Sequence, residues 1–178
     1  MITVYGRATS SNVQIVMWTL AELGLAHTRL DYGDTYGGTK TAEFLAMNPM
    51  GLVPCLRDGD VTLFESAAIQ RYLCARYAQA PFWPADLGQR AALDCWAEWV
   101  KTSFMPALLT GLFYPLVRRD PATVTADELA RGAAEMARLA TMLDARLGQG
   151  PWLGGAEFGF ADILAGHGLY RYFTLPFE

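Results

Sequence analysis

The chain has 178 residues, of which 52% are apolar and 18% are charged, and its formal net charge is −4. Such a composition can bury a core, which excludes an intrinsically disordered protein. A nucleic-acid-binding protein usually has a basic face, and this sequence has no run of Lys or Arg that would form one. We therefore expect one domain or two small ones, and no nucleic-acid partner.

Neither the N-terminus nor the most apolar segment indicates a membrane protein. The opening MITVYGR lacks the charged start and long apolar stretch of a signal peptide. The most apolar segment, residues 104–117, is shorter than the ~18 residues that a membrane span needs. Pro106 and Pro115 also interrupt it. We predict a kinked, buried helix here and no association with a membrane.

The cysteines and histidines point to a reducing compartment without a metal site. The three cysteines, Cys55, Cys74 and Cys95, are an odd number and form no CxxC pair, so we expect free thiols in a cytoplasmic protein, all three as small residues of the core. His27 and His167 are far apart and have no spacing typical of metal ligands. We therefore predict no bound metal.

The first eighty residues alternate between strand and helix patterns. The predicted strands are 2–5, 27–32, 53–57 and 61–64, and the predicted helices are 12–23, the short AEFLAM segment, and 66–77. Gly24 is a typical helix stop, and Asp58-Gly59 is a strong hairpin-turn signal. This order predicts an α/β domain over residues 1–78, in which a mixed four-stranded sheet is covered by helices.

The second half has a different pattern. Residues 79–87 include two prolines and are predicted to be a linker. Beyond them the sequence has no convincing strand. Helical patterns cover residues 89–117, 126–147 and 162–172. We predict an all-α helical-bundle domain over residues 88–178.

Two predicted helix starts have side chains suited to a ligand. The first helix begins beside Ser10, where free N–H groups and a hydroxyl can stabilise an anion such as a thiolate. The third helix begins at Ser66, where a carboxylate can bind while Glu65 takes an ammonium group. Each serine can equally be only a helix cap. A serine nucleophile would need a base, and neither histidine is a convincing partner.

Val53-Pro54 opens the third predicted strand. Proline donates no backbone hydrogen bond, so the strand edge is open at this point, and a peptide-like ligand can pair there as an added strand. The glycine-rich segment 33–41 is not a phosphate-binding loop, because Thr39 separates Gly38 from Lys40. We interpret it as a flexible loop that carries one exposed lysine.

Together these segments resemble the glutathione S-transferase family. The resemblance rests on YGRATSSNVQIVMWTLAELGL, AEFLAMNPMGLVPCL and TLFESAAIQRYL, and it continues through RAALDCWAEWV and FGFADILAGHGLYRYF. It covers nearly the whole chain. It implies a thioredoxin-like first domain, an all-helical second domain and a homodimer.

The resemblance also implies where glutathione would bind. Val53, before a cis Pro54, would pair with the cysteinyl backbone of glutathione. Glu65 and Ser66 would hold its γ-glutamyl end. Lys40 would meet its glycyl carboxylate.

The thiol would then point at the start of the first helix. Ser10 matches the catalytic serine of the serine-type classes, and Asn12 matches an asparagine that contacts the sulfur in some bacterial relatives. Ser11 is the alternative to Ser10, and it fits a plain helix cap equally well. No cysteine lies at this junction, which speaks against the cysteine-type classes.

The sequence departs from the family pattern at three positions. Leu52 stands where the family often has a lysine or glutamine that contacts glutathione. Gly159 replaces the serine or threonine that usually begins the late helix, three residues before Asp162, so half of the capping box is missing. The sequence ends at Glu178, some thirty residues before the typical end, so it is either naturally short or cut.

The resemblance implies a glutathione transferase that uses glutathione as cosubstrate, without a metal, to attack small apolar electrophiles. The electrophile pocket is predicted between the domains, with Trp99, Phe104, Met105 and Leu108 as its lining; ordinary core packing is the alternative for these four residues. Two other functions stay open. One is glutathione-dependent reduction of disulfides or peroxides at the same site, and the other is a non-catalytic ligand-binding or interaction protein.

Overall fold

A computed structural model describes residues 1–176 of the chain; Phe177 and Glu178, the end of the predicted helical domain, lie outside the described residues. The chain divides into two compact units, Met1–Gln79 and Ala80–Glu178.

The first unit is built on a four-stranded mixed sheet, as predicted. Its strands are β1 (Ile2–Tyr5), β2 (His27–Leu30), β3 (Cys55–Asp58) and β4 (Val61–Phe64), and its helices are α1 (Ser11–Glu22), α2 (Ala42–Met47) and α3 (Ser66–Tyr77). The strand order is β2-β1-β3-β4. The first two strands are parallel, and the other neighbouring pairs are antiparallel. A short 3₁₀ turn, Asp34–Tyr36, lies within the predicted glycine-rich loop.

Alternation along the strands sends side chains into two cores. Val4 and Leu56 are fully buried in a cluster with apolar residues of α1 and α3. Their strand neighbours Tyr5 and Cys55 belong to a second cluster, which includes Phe44 of α2. Successive side chains of a strand point to opposite faces, so α2 covers one face of the sheet while α1 and α3 cover the other.

The third strand starts two residues later than predicted. The ladder between β1 and β3 begins at the pair Tyr5–Cys55, and β1 ends at Tyr5. The chain then turns at Gly6, whose amide donates to the carbonyl of Leu30. Val53 and Pro54 therefore have no facing residue on β1, and they form an extended lead-in to the strand.

The second unit is helical. Its helices are α4 (Leu87–Trp99), α5 (Met105–Leu108), α6 (Ala126–Leu147) and α7 (Phe160–Phe173), and π-helical segments at Val100–Phe104 and Leu109–Arg118 join α4 and α5 into one helix, Leu87–Arg118. The sequence predicted a kink near the prolines. Pro115 lies inside a π-helical segment, and the kink itself stays a prediction. A proline removes one backbone donor, so the regular α-helical hydrogen-bond pattern is interrupted there.

The long helix Leu87–Arg118 is long and apolar enough to cross a membrane by length and composition alone. The prediction of no membrane association was based on the length of residues 104–117, and the observed helix is longer than that segment. It packs against α6 and α7. Phe104 and Leu108 of this helix are fully buried. A third of its most apolar 18-residue window is buried, so the helix packs on its neighbours along one side.

Candidate functional site

The first helix of unit 1 begins directly after a tight junction. Gly6 ends the strand, and a Cβ added there would clash with the side chain of Val13 and lie 3.1 Å from the Cβ of Val53. Glycine therefore allows the β1–α1 junction and the Val53 lead-in to lie side by side. The amide of Ser10 donates to the carbonyl of Arg7, which closes the turn before the helix.

Ser10 has the position of a helix cap but does not cap with its side chain. Its backbone is extended, with φ −77° and ψ 125°, as the residue before a helix requires. Among the residues that the structure describes, no first-turn amide of α1 donates to its hydroxyl. The Ser10 side chain is half-buried. A hydroxyl at a helix N-terminus that is not used for capping can donate to an anion instead.

The third helix begins at an unusual backbone. Glu65 precedes it with φ 68° and ψ 115°, a conformation that non-glycine residues rarely adopt and that costs about 1–3 kcal/mol. Its side chain is exposed, whereas Ser66 is only 1% exposed. Strained backbone of this kind persists only where the surrounding structure holds it in place, and it is concentrated at ligand sites.

A hydrogen bond joins these two helix starts. The hydroxyl of Ser66 donates to the side-chain oxygen of Asn12 over 3.1 Å. Because the oxygen of the Asn12 amide faces Ser66, its NH₂ group is turned the other way. Deeper in the unit, the amide of Gln70 donates to the hydroxyl of Thr19 over 3.2 Å, so α1 and α3 are also fixed in the core.

Val53 is followed by a cis peptide bond to Pro54. In the described part of the chain, no protein group hydrogen-bonds to the backbone amide or carbonyl of Val53. The preceding turn is held by buried Asn48, whose amide donates to the carbonyl of Leu52 over 2.8 Å. The Leu52 side chain is 58% exposed. Asn48 therefore holds the lead-in on one side. The backbone of Val53, which is predicted to pair with a peptide-like ligand, has no hydrogen-bond partner in the described part of the chain.

Lys40 extends from the glycine-rich loop towards this lead-in. Its ammonium group donates to the carbonyl of Met50 over 3.4 Å. It also lies 2.6 Å from where a Cβ of Gly51 would be. Gly51 has a φ of 63°, so glycine is needed there both for backbone freedom and for the space that the lysine fills.

A pair of charges that the sequence did not single out holds the same loop. The guanidinium of Arg7 lies 3.2 Å from a carboxylate oxygen of Asp34, and the two side chains are 21% and 46% exposed. The pair joins the β1–α1 junction to the start of the glycine-rich loop. The role of Asn48 in the turn before Val53 was also missed. No local signal marks any of these three residues; their partners become neighbours only in the fold.

The predicted electrophile residues lie in the core of the helical unit. Phe104 and Leu108 are fully buried, and Met105 is 7% exposed. Trp99 is half-buried, and its ring contacts that of Phe104 with centroids 5.7 Å apart. Their role as a pocket lining stays a prediction.

The cysteines are free thiols. Burial raises the pKa of Cys55 to about 11 and that of Cys74 to about 12. Both thiols are therefore protonated at neutral pH and are poor nucleophiles. Cys95 is exposed on α4 in the helical unit, so the prediction that all three cysteines lie in the core is wrong for this residue.

Two family models match this chain. Residues 9–76 match the one described as "Glutathione S-transferase, N-terminal domain", and residues 104–178 match "Glutathione S-transferase, C-terminal domain".

Several relatives are also similar over most of the chain. "Glutathione S-transferase GstB" of Escherichia coli strain K12 is 38% identical over 177 residues, which are 98% of this chain and 85% of that protein. "Glutathione S-transferase 3" of Zea mays is 36% identical over 94% of this chain and 76% of that protein. The crystal structure of the theta class glutathione S-transferase from Xanthomonas axonopodis pv. citri, with glutathione bound, has a TM-score of 0.92 and 38% identity. The match covers 99% of this chain and 84% of that one.

A mixed-sheet unit with two joined helix starts, followed by a helical unit, defines a thioredoxin-like protein with an appended helical domain. The chain belongs to the glutathione S-transferase family, and it is a transferase by that membership.

Proposed function

We propose that this protein binds glutathione along unit 1, holds it as a thiolate, and transfers it to small apolar electrophiles. The observation that carries the proposal is the hydrogen bond from Ser66 to Asn12, which brings two anion-attracting helix N-termini into contact. The relative from Xanthomonas axonopodis was solved with glutathione bound, which supports the same ligand here.

Each part of glutathione then has a matching group. Its γ-glutamyl carboxylate meets the N-terminus of α3 at Ser66, and its ammonium group meets the carboxylate of Glu65. Its cysteinyl backbone pairs with the unpaired amide and carbonyl of Val53 beside Pro54. Its glycyl carboxylate meets Lys40, which the carbonyl of Met50 holds next to this lead-in.

The thiol of glutathione then lies at the start of α1. The Ser10 hydroxyl, the α1 amides and the NH₂ group of Asn12 donate to the sulfur and lower its pKa. The thiol proton leaves to solvent. The sulfur electron pair forms a carbon–sulfur bond with the electrophile as the leaving group departs with its own bonding pair. Protonated Cys55 and Cys74 take no part.

The test is a pH titration of bound glutathione, followed by the ultraviolet absorbance of its thiolate. We expect the bound thiol to ionise at least ~1 pH unit below the free thiol, whose pKa is about 8.5. Ser10→Ala should abolish most of this shift and lower kcat by about tenfold or more. Ser11→Ala is the matched control, because it removes the neighbouring hydroxyl from the same helix start.

The other outcomes separate the alternatives. Binding without a shift in the thiol pKa would contradict the role of Ser10. Turnover of small disulfides without turnover of aryl halides would favour the reductase. A folded protein that does not bind glutathione would favour a non-catalytic binding protein. We further propose a cytoplasmic homodimer; light scattering on the purified protein tests the dimer, and the free thiols suit a reducing compartment.

A further inference from the structure

A cavity of about 680 Å³ lies entirely within the helical unit. Its walls come from the segment before α4, from one face of α4, from the end of α6, and from the loop before α7. Every residue that lines it belongs to Ala80–Glu178, so it shares no residue with the proposed glutathione site. Its volume is within the range of about 300–1,000 Å³ that is typical of small-molecule sites.

The walls of this cavity are held in place by hydrogen bonds. The carboxylate of Asp162, which is 5% exposed, accepts from the amide of Leu153 over 2.8 Å. The guanidinium of Arg146 donates to the carbonyl of the same residue over 3.0 Å. A Cβ added to Gly154 would lie 3.6 Å from the side chain of Leu93, so the loop packs closely on α4. The cavity is therefore largely pre-formed.

Most of the lining is apolar. The apolar lining residues include Trp96 and the buried residues Pro84, Leu93 and Leu153. Trp96 is half-buried and is held edge-to-face by Trp99, with ring centroids 5.4 Å apart. A rigid indole in the wall of a cavity favours a flat aromatic ligand, and it is also the best aromatic partner for a cation.

The charges of the cavity favour a cation over an anion. Asp86 and Glu157 line it, and in residues 1–176 neither carboxylate forms a salt bridge. One oxygen of Asp86 caps α4 by accepting from the amide of Gln89 over 2.8 Å. The cation in the lining, Arg146, donates to the carbonyl of Leu153, so its guanidinium is already engaged within the wall.

We propose that this cavity binds an amphipathic organic cation, with its aromatic body against Trp96 and Leu93 and its ammonium group between Asp86 and Glu157. The ligand class follows from apolar walls combined with two carboxylates that form no salt bridge. The site is independent of the proposed glutathione chemistry, so either proposal can fail without the other.

The test is fluorescence anisotropy of rhodamine 6G, a flat aromatic cation, with the purified 178-residue protein. We expect saturable binding that is tighter than binding of the anionic dye 8-anilinonaphthalene-1-sulfonate. The double variant Asp86→Asn, Glu157→Gln should bind rhodamine 6G about tenfold more weakly, since each carboxylate contributes a partly exposed charge interaction. Asparagine caps a helix as well as aspartate does, so α4 stays capped.

The matched control removes two exposed carboxylates from the other unit, Glu43→Gln and Asp60→Asn, and therefore changes the net charge equally. It should leave binding of rhodamine 6G unchanged, whereas Trp96→Leu should weaken it. An equal loss of rhodamine 6G affinity in both double variants would overturn the proposal. Tighter binding of the anionic dye, or no saturable binding of rhodamine 6G, would overturn it too. Displacement of rhodamine 6G by glutathione would also overturn it, because the dye would then occupy unit 1.

Discussion

The hydrogen bond between Ser66 and Asn12 joins side chains that are 54 positions apart in sequence. Ser66 is almost fully buried, so its hydroxyl cannot exchange this partner freely with water. In the proposed function, Ser66 meets the γ-glutamyl end of glutathione and Asn12 meets the sulfur. A single contact then links the two ends of the ligand site, and it also fixes the direction of the Asn12 amide.

A double-mutant cycle tests this link at the residue scale. We expect Ser66→Ala and Asn12→Ala each to weaken glutathione binding by about fivefold, the equivalent of one hydrogen bond of ~1 kcal/mol. The double variant should lose less binding free energy than the sum of the two single losses, because each single variant already breaks the shared hydrogen bond. Isothermal titration calorimetry measures all four affinities. Full additivity would contradict the coupling, and Ser11→Ala is the control at the same helix start.

At the scale of elements, α7 begins with only half of a capping box. The amide of Gly159 donates to one oxygen of Asp162 over 2.8 Å, and Leu153 donates to the other. Glycine has no side chain to return a hydrogen bond, as the sequence predicted. The helix nevertheless starts at Phe160, two residues earlier than the predicted start. Asp162 thus holds both the helix start and the preceding loop.

This arrangement predicts a large loss of stability for one substitution and almost none for another, three residues away. Asp162→Ala leaves two buried amides without an acceptor and should lower the free energy of unfolding by about 2–4 kcal/mol. Gly159→Ser should change it by a few tenths of a kcal/mol at most, because φ is −141° and an added Cβ meets only ordinary contacts at 3.4 Å or more. Urea unfolding measures both. A loss above about 1 kcal/mol for Gly159→Ser would contradict this account of the cap.

At the scale of the whole molecule, stability should depend on pH through His167. This residue is 4% exposed, and the guanidinium of Arg171 donates to its ring over 3.4 Å. Burial first, and the charge of Arg171 second, lower the pKa of His167 from 6.5 to about 4. The folded protein therefore holds this ring neutral at a pH where the unfolded chain protonates it.

The sign of the effect follows from proton binding. Between about pH 6.5 and pH 4 the unfolded state binds one more proton than the folded state, so acidification should destabilise the fold by up to about 3 kcal/mol. Urea unfolding of the natural protein and of His167→Gln at several pH values measures this. The variant should lose less stability than the natural protein over this interval. The reference is pH 8, where the ring is neutral in the folded and unfolded states. If the free energy of unfolding falls equally with pH in both proteins, His167 is not the group responsible.

The fold was largely predictable from sequence, because local periodicity determines which residues form strands and which form helices. Alternation in strands 2–5 and 61–64 and the Asp58-Gly59 turn were sufficient for the sheet. The start of β3 was not predictable, since it depends on where β1 ends rather than on any property of Val53.

The candidate site was only partly predictable. Residues next to helix starts, such as Ser10 and Ser66, carry a local signal. The contact between Ser66 and Asn12, the Arg7–Asp34 pair and the buried Asn48 carry none, because each depends on pairing across the fold. The π-helical segments were also missed, since helical periodicity does not distinguish a π turn from an α turn.

The backbone of Glu65 has a consequence for protein engineering. Glycine adopts a positive φ without the steric strain that a side chain brings, and at Glu65 this strain of about 1–3 kcal/mol exceeds the entropic cost of a glycine, so a selection for thermal stability alone would favour Glu65→Gly at the start of α3. Such a selection would remove the carboxylate that the proposed function needs. Stabilised variants of this protein should therefore be selected with glutathione present. Under that condition, the proposed contact between Glu65 and the ligand would favour variants that keep the carboxylate.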